Sequence, residues 1–462
     1  MVNCKVIQEH IENVICYLQP LLPLANFHMV DYFKKEAYRN LVPDDIQLEI
    51  NNIKSEDVTS NILNNDYTQM PNLYKYMKNS EELALKNCQH VCLNTNQFQD
   101  RLVEWGCEKF LRLKLEIFMT YKKSHEVDIM SFLSAAIRDI SKTSHIIDIG
   151  DGKGYLSSML ALHYKIPVLG VDASEINTNG AVQRVQKLSK VWNSVVNKHE
   201  IKKTKETTAD LYKQITQFVN ESTDFKELVE NVFLEKPSEL SLVGLHTCGN
   251  LAATSIRIFD ASEQIKTICN VGCCYHHITE YFEVDPNRKD HALVSNGFPM
   301  SKYLREKRFV MGRAARMIAA QSVERVLHKK QLPNRTLFYR ALFEVLIENK
   351  CVDVPANKRK VGRFRKECVD FADYVQKASR RINVDISASN GEIEDLFDEY
   401  KCRMSELNNF YLIRCMLAPV IESLILLDRL LFLHEQGHEK SFIVQLFDPV
   451  ISPRCYGLIA IK

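Results

Sequence analysis

The sequence predicts an α/β protein. A parallel sheet layered with helices follows an N-terminal helical region, and a helical insert comes before the last two strands. Three observations carry this. A β-branched run at 145–149 stops at glycines, is followed by a helical stretch at 155–164, and leads into a second such run at 168–172. That spacing demands a parallel pair joined by a right-handed crossover. Further strand-like runs at 242–245 and 267–271 extend the sheet, and the chain closes with a pair at 442–446 and 456–461 around a turn holding Pro449 and Pro453.

In chain order, residues 1–104 read as the helical region. Ile7, Ile11, Val14, Ile15 and Leu18 recur at helical spacing and stop near Pro20 and Pro23, and 44–80 are polar and Asn-rich. Residues 105–280 form the first part of the core. They open with a helix expected over 105–120, with Phe110, Leu113 and Ile117 on one face, and a second over 128–140. The charged stretch 190–237 is expected to hold a helix and one strand, with Asp210 at a strand end. Residues 281–404 are the helical insert, with a basic run at 358–366 and an acidic one at 392–399. Residues 405–462 return to the core through an apolar helix at 417–434.

Composition narrows the class. The 462 residues carry 60 Lys+Arg against 58 Asp+Glu, a net charge of +2, so no global basic field advertises nucleic acid. With 45% hydrophobic and 26% charged residues, disorder, collagen and coiled coil are excluded. The most apolar segment, 424–433, contains Asp428 and Arg429 and falls short of the roughly 20 residues a span needs, so no membrane is expected. Fourteen cysteines in a chain this long, two of them adjacent, do not make a disulfide scaffold. Glu9 and Glu12 precede any long apolar run, so no export signal is expected. The thiols are then expected to be reduced, in the cytoplasm or nucleus.

Asp148-x-Gly150-x-Gly152-x-Gly154 lies between a strand and a helix, where a cofactor can rest against bare backbone. Asp172, 18 residues after Gly154, ends the next strand. A carboxylate there can accept hydrogen bonds from both hydroxyls of a ribose. NAD enzymes show G-x-G-x-x-G. Here the pattern is G-x-G-x-G with an acid two residues ahead, the mark of enzymes using S-adenosyl-L-methionine (SAM), whose positive charge favours a nearby carboxylate. The plain alternative is a tight turn followed by a structural aspartate.

The run at 242–245 ends in His246-Thr247-Cys248-Gly249-Asn250, and that at 267–271 ends in Gly272-Cys273-Cys274-Tyr275-His276-His277. On adjacent strands both clusters face the methyl donor. Three chemistries compete. Zinc binding is disfavoured because no C-x-x-C pair is present, and no metal is expected. Cys248 or Cys274 is a candidate nucleophile, with His246 or His276 lowering its pKa, as methylation of a pyrimidine ring carbon in RNA requires. Alternatively the small residues admit the substrates while His246, Tyr275 and His276 position the acceptor or take its proton. The bland reading is that these cysteines are small buried hydrophobes. His246, Cys248, Tyr275 and His276 are therefore the catalytic candidates.

The segments DIGDGKGYLSSMLAL, VGLHTCGNLA, NVGCCYHHITE, NGFPMSKYL, GRAARM and LFDPVISPRCYGLIAIK resemble the methyltransferase-like protein 25 family. Relatives of that family include proteins labelled ribosomal-RNA-adenine-dimethylase-domain-containing. The resemblance runs from about residue 105 to the C-terminus. It implies a class I, Rossmann-like SAM-dependent methyltransferase fold, with Asp148, Gly150, Gly152, Gly154 and Asp172 at the SAM-binding positions. It also implies that Lys123 and Glu126, in MTYKKSHEV, touch cofactor or substrate. Asp151 stands where a small residue is expected, which puts a second carboxylate near the donor. The adenine label calls for an Asn/Asp-Pro-Pro-aromatic signature where this chain reads His246-Thr247-Cys248-Gly249, so adenine N6 methylation is not expected. The H-x-C-G and C-C-x-H patterns are more similar to a family of tRNA 2′-O-ribose methyltransferases. The expected activity is methyl transfer from SAM to an acceptor the sequence does not identify, with RNA as one candidate. A protein methyltransferase and an inactive SAM- or RNA-binding scaffold are the alternatives.

Overall fold

The computed structural model describes residues 3–107, 112, 114–198, 208–282, 295–350, 355 and 358–462. Among these are eight strands: β1 (Cys92–Asn94), β2 (His145–Ile149), β3 (Val168–Asp172), β4 (Tyr212–Thr216), β5 (Leu240–Cys248), β6 (Ile265–Cys273), β7 (Ser441–Gln445) and β8 (Tyr456–Ile461). They form one sheet in the order β1-β7-β8-β6-β5-β2-β3-β4. Every pairing is parallel except those β8 makes with β6 and β7. The β2 run His-Ile-Ile-Asp-Ile is buried at every position, the pattern of a strand covered on both faces. A parallel core closed by a reversed C-terminal strand is the Rossmann-like sheet of class I methyltransferases.

Three details depart from expectation. The N-terminal region is not purely helical, because β1 joins the sheet edge against β7. The helix expected over 105–120 is absent among the described residues; Phe110 and Leu113 lie outside them. Gly106, at φ 86°, is the left-handed residue that closes helix Thr95–Glu104, and the next helix, Tyr121–Ile140, starts only at the Thr120 cap. Asp210 belongs to a single turn, Thr208–Leu211, that leads into β4, so it lies at the opposite strand end from the glycine loop.

The chain divides into two interleaved units. The first comprises Met1–Gln19, Glu81–Ser322 and Pro419–Lys462 and contains the sheet. The second comprises Pro20–Ser80 and Val323–Ala418 and is helical in its described residues. In the second unit an aromatic core gathers Phe338, Tyr339, Phe371, Tyr374 and Phe397, and buried Arg414 donates to the carbonyls of Leu24 and Ala25. The acidic run lies on helix Asn390–Tyr400. In the basic run, Arg359 pairs with Glu344 at 3.0 Å, while Lys358, Lys360, Arg363, Arg365 and Lys366 are exposed.

The helical stretch Asn390–Glu435 contains an 18-residue window of mean hydropathy 1.9, apolar enough by length and composition to cross a membrane. Within the protein 89% of that window is buried, as in a core helix. In the first unit, helix Ala418–Glu435 supplies charged anchors. Asp428 accepts from Met300 N (2.7 Å), Ser301 N (2.9 Å) and Ser301 Oγ (2.7 Å). Glu422 accepts from Tyr275 OH (2.8 Å) and Arg454 Nη1 (2.7 Å). Glu280 pairs with Arg316 and accepts from the amides of Met311 and Gly312. The segments NGFPMSKYL, GRAARM and SPRCY are thus scaffolding around buried carboxylates. Asp428→Ala would orphan three buried donors and is expected to cost about 3 kcal/mol or more. A urea midpoint equal to wild type would remove this anchor.

Candidate functional site

The carboxyl ends of β2, β3, β5 and β6 surround a cavity of about 720 Å³, lined among others by Gly150, Gly152, Asp172, Phe218, His246 and Cys248. That volume suits a cofactor-sized ligand. Gly150, Gly152 and Gly154 have φ of 75°, 62° and 66°, values that a side chain resists. Gly154 also makes room for Tyr212: an added Cβ would strike its hydroxyl.

Asp148 is buried beneath this loop. Ser157 Oγ lies 2.8 Å from Asp148 Oδ2 and 2.7 Å from Asp151 Oδ1, and Tyr212 OH donates to Asp151 Oδ2. Burial and the charge of Asp151 push Asp148 well above the usual carboxylate range. Burial raises Asp151 too, against the hydrogen bonds from Tyr212 and Ser157. The two carboxyls titrate as a pair, both pushed upward by burial. Asp151 does not line the main cavity. It borders a second one of about 260 Å³, shared with Lys123, Glu126, Asp148 and His246.

Asp172 is pinned at the end of β3. Its Oδ1 accepts from Ser174 N (2.8 Å) and Asn177 Nδ2 (3.1 Å), and its Oδ2 accepts from Gly152 N (3.0 Å). The carboxylate therefore ties the glycine loop to the neighbouring strand while bordering the main cavity.

At the end of β5 the ladder skips His246, which takes a left-handed φ of 73°. Such a bulge re-aims a side chain. His246 Nε2 lies 3.1 Å from Glu126 Oε2, and His246 lines both cavities. Glu126 is 1% exposed, with Ser452 Oγ at 2.5 Å and Lys122 Nζ at 3.4 Å from its other oxygen. Burial opposes its charge, yet His246, Ser452 and Lys122 hold it below the usual carboxylate range. A carboxylate accepts only, so it assigns the ring proton to Nε2 and leaves Nδ1 as the free acceptor.

Cys248 and Cys273 are register partners on β5 and β6, with their sulfurs 3.1 Å apart. Cys274 Sγ lies 3.7 Å from Cys273 Sγ. Hydrogen bonds from Cys273 and Cys274, helped by His246 and His277 and opposed by burial, bring the Cys248 thiol down to about 6. The hydrogen bond it shares with Cys248, then burial, pushes Cys273 up, and burial raises Cys274.

Two catalytic candidates fall elsewhere. Tyr275 is 1% exposed and bonded to Glu422, with Arg454 and Arg429 beside its ring at 5.3 and 5.9 Å. Burial and Glu422 push its hydroxyl well above the usual range. His276 packs on His277 at 4.1 Å between ring centres, and burial lowers its pKa. His277, not His276, borders the cavity. The reason is Cys274: its left-handed φ of 50° ends the strand and shifts the phase of the residues after it. Phe218, 60% exposed at the cavity edge, Asn177 and Ser157 were not singled out by sequence. An aromatic just past a strand end was the available signal for Phe218.

Residues 122–281 match a family model described as a methyltransferase domain. The chain is 28% identical to the probable methyltransferase-like protein 25 of Mus musculus, over 100% of this chain and 97% of that protein. It is also 28% identical to the protein of the same name from Homo sapiens, over 100% and 98%. A crystal structure of coclaurine N-methyltransferase bound to N-methylheliamine and SAH aligns over 90% of this chain and 96% of its own, at 9% identity and a TM-score of 0.24. That overlap adds nothing to the fold read from the strands. By its full length and by the domain at its centre, the chain is a homologue of methyltransferase-like protein 25.

Proposed function

We propose that this protein is a SAM-dependent methyltransferase that holds its donor in the 720 Å³ cavity and receives an RNA acceptor over the ends of β5 and β6. The observation that supports it is one wall where a bare glycine loop and the pinned Asp172 carboxylate meet. Asp172 would take the ribose hydroxyls, Gly150 and Gly152 would offer their backbone, and Phe218 with Val219 would cover the purine. When bound, the donor supplies an electrophilic sulfonium methyl. The chain's own residues do the rest. The apolar lining limits water, the loop fixes the approach, and Glu126 holds His246 so that Nδ1 can receive the acceptor's proton.

RNA is favoured by the likeness of H-x-C-G and C-C-x-H to ribose methyltransferases and by the exposed basic run at 358–366. Neutralising Lys360, Arg363 and Lys366 is expected to lower the salt slope of RNA binding by about 2 to 3. An unchanged slope would assign the run to solubility. The activity test is transfer of labelled methyl groups from SAM onto fractionated RNA and protein from cells lacking this gene. Label in RNA supports the reading, and label in protein instead moves the acceptor class. SAM binding without label in either fraction would make the chain a scaffold.

A further inference from the structure

We infer that Cys248, Cys273 and Cys274 form a thiolate site for a zinc-class divalent cation, with its fourth coordination position open to the main cavity. Among the described residues these are the one group of three or more potential ligand atoms brought together, all three sulfurs lying within 4.8 Å of one another. Zinc–sulfur bonds of about 2.3 Å in a tetrahedral arrangement place sulfurs about 3.8 Å apart. The Cys273–Cys274 separation of 3.7 Å already matches, and the 3.1 Å between Cys248 and Cys273 needs only a small spreading.

The backbone explains the convergence. Cys248 and Cys273 meet because β5 and β6 pair in parallel with those residues in register. Consecutive residues on a continuing strand would face opposite sides of the sheet. At Cys274 the chain turns left-handed, and its sulfur comes round to the same side. Three thiols cannot all be satisfied by one disulfide, whereas three soft thiolates suit zinc rather than a hard cation.

Charge supports the same assignment. A divalent cation with three thiolates carries one net negative charge, which burial penalises unless a cation is near. Arg429 is 2% exposed, and its Nε and Nη2 have no hydrogen-bond partner among the described residues. Its Nη1 reaches the backbone of Gly272, next to Cys273, where an added Cβ would come within 2.5 Å. The guanidinium lies on the sheet face opposite the Cys273 side chain, and its positive charge acts on Cys273 through space only. Cys248 is exposed and borders the cavity, so the open position would take water or an acceptor atom.

This inference is independent of donor binding, and its test reads the metal alone. The full chain, reduced under anaerobic conditions, is titrated with Co²⁺. The expected result is uptake of about one equivalent, with sulfur-to-cobalt charge-transfer absorption and tetrahedral d–d bands that zinc displaces. Cys273→Ser and Cys274→Ser are each expected to weaken uptake by roughly tenfold or more, while Cys402→Ser leaves it unchanged. Cys273 and Cys274 lose their protons on binding, so uptake should release acid. No stoichiometric uptake by the reduced wild type, or uptake that survives both cluster substitutions, would overturn the site. If either variant fails to melt cooperatively, alkylation mapping of the wild type decides. Zinc should protect Cys248 and Cys274 from iodoacetamide, and equal labelling with and without zinc also overturns it.

Discussion

Asp172→Ala is expected to weaken SAM binding by about ten- to hundredfold in calorimetry, equivalent to about 1.5–3 kcal/mol. Hydrogen bonds between ribose hydroxyls and a charged carboxylate account for that range. The effect should lie toward its upper end, because the same carboxylate holds the Gly152 and Ser174 amides and Asn177. Alanine would remove the proposed ribose partner and would also release the Gly152 loop that the carboxylate ties down. Asp172→Asn retains one acceptor oxygen and should fall between. Equal SAM affinity in wild type and Asp172→Ala, with both folded by melting, would withdraw the ribose assignment.

His246→Ala is expected to lower kcat by about 10²–10⁴, on whichever acceptor the labelling identifies, while SAM affinity changes little. The basis is the buried Glu126, 3.1 Å from Nε2, and the place of His246 on the wall of both cavities. Glu126 is a positioning residue, since it acts through His246. Glu126→Gln can donate to the ring and so disturbs the tautomer. It should lower kcat with KM nearly unchanged and shift the pH profile of the rate. Single-turnover transfer at several pH values checks both. Wild-type rates in both variants would move proton removal away from His246 and leave Cys248 as the group facing the acceptor.

The strands and the cofactor loop were legible because their signals are local. The β-branched runs of β2 and β3 are bounded by glycines and turns, and Asp148 through Gly154 with Asp172 occupy one strand–helix–strand unit. Three alternate glycines at a strand end permit the left-handed backbone that Gly150, Gly152 and Gly154 adopt, and that permission needs no distant contact. The adjacency of β5 and β6 was a condition of the sequence reading, and the parallel pairing of the two strands meets it.

Other features depend on contacts between distant residues, which spacing does not encode. Gly106 ended a helix that apolar periodicity alone would have continued through 105–120. His246 and Glu126 are 120 residues apart, and only the packing of helix Tyr121–Ile140 against the sheet brings them to 3.1 Å. Tyr275 was drawn into the core by Glu422 and Arg454, where a buried hydroxyl finds its acceptor. One left-handed residue, Cys274, moved His277 to the cavity in place of His276 and turned its own sulfur toward Cys248 and Cys273. The amino-acid sequence by itself determined the layered fold and the placing of Gly150, Gly152 and Asp172 at neighbouring strand ends, because both rest on backbone preference and short spacing. Tertiary structure alone decided the histidine, carboxylate and thiol half, because strand register and long-range burial set which side chains meet.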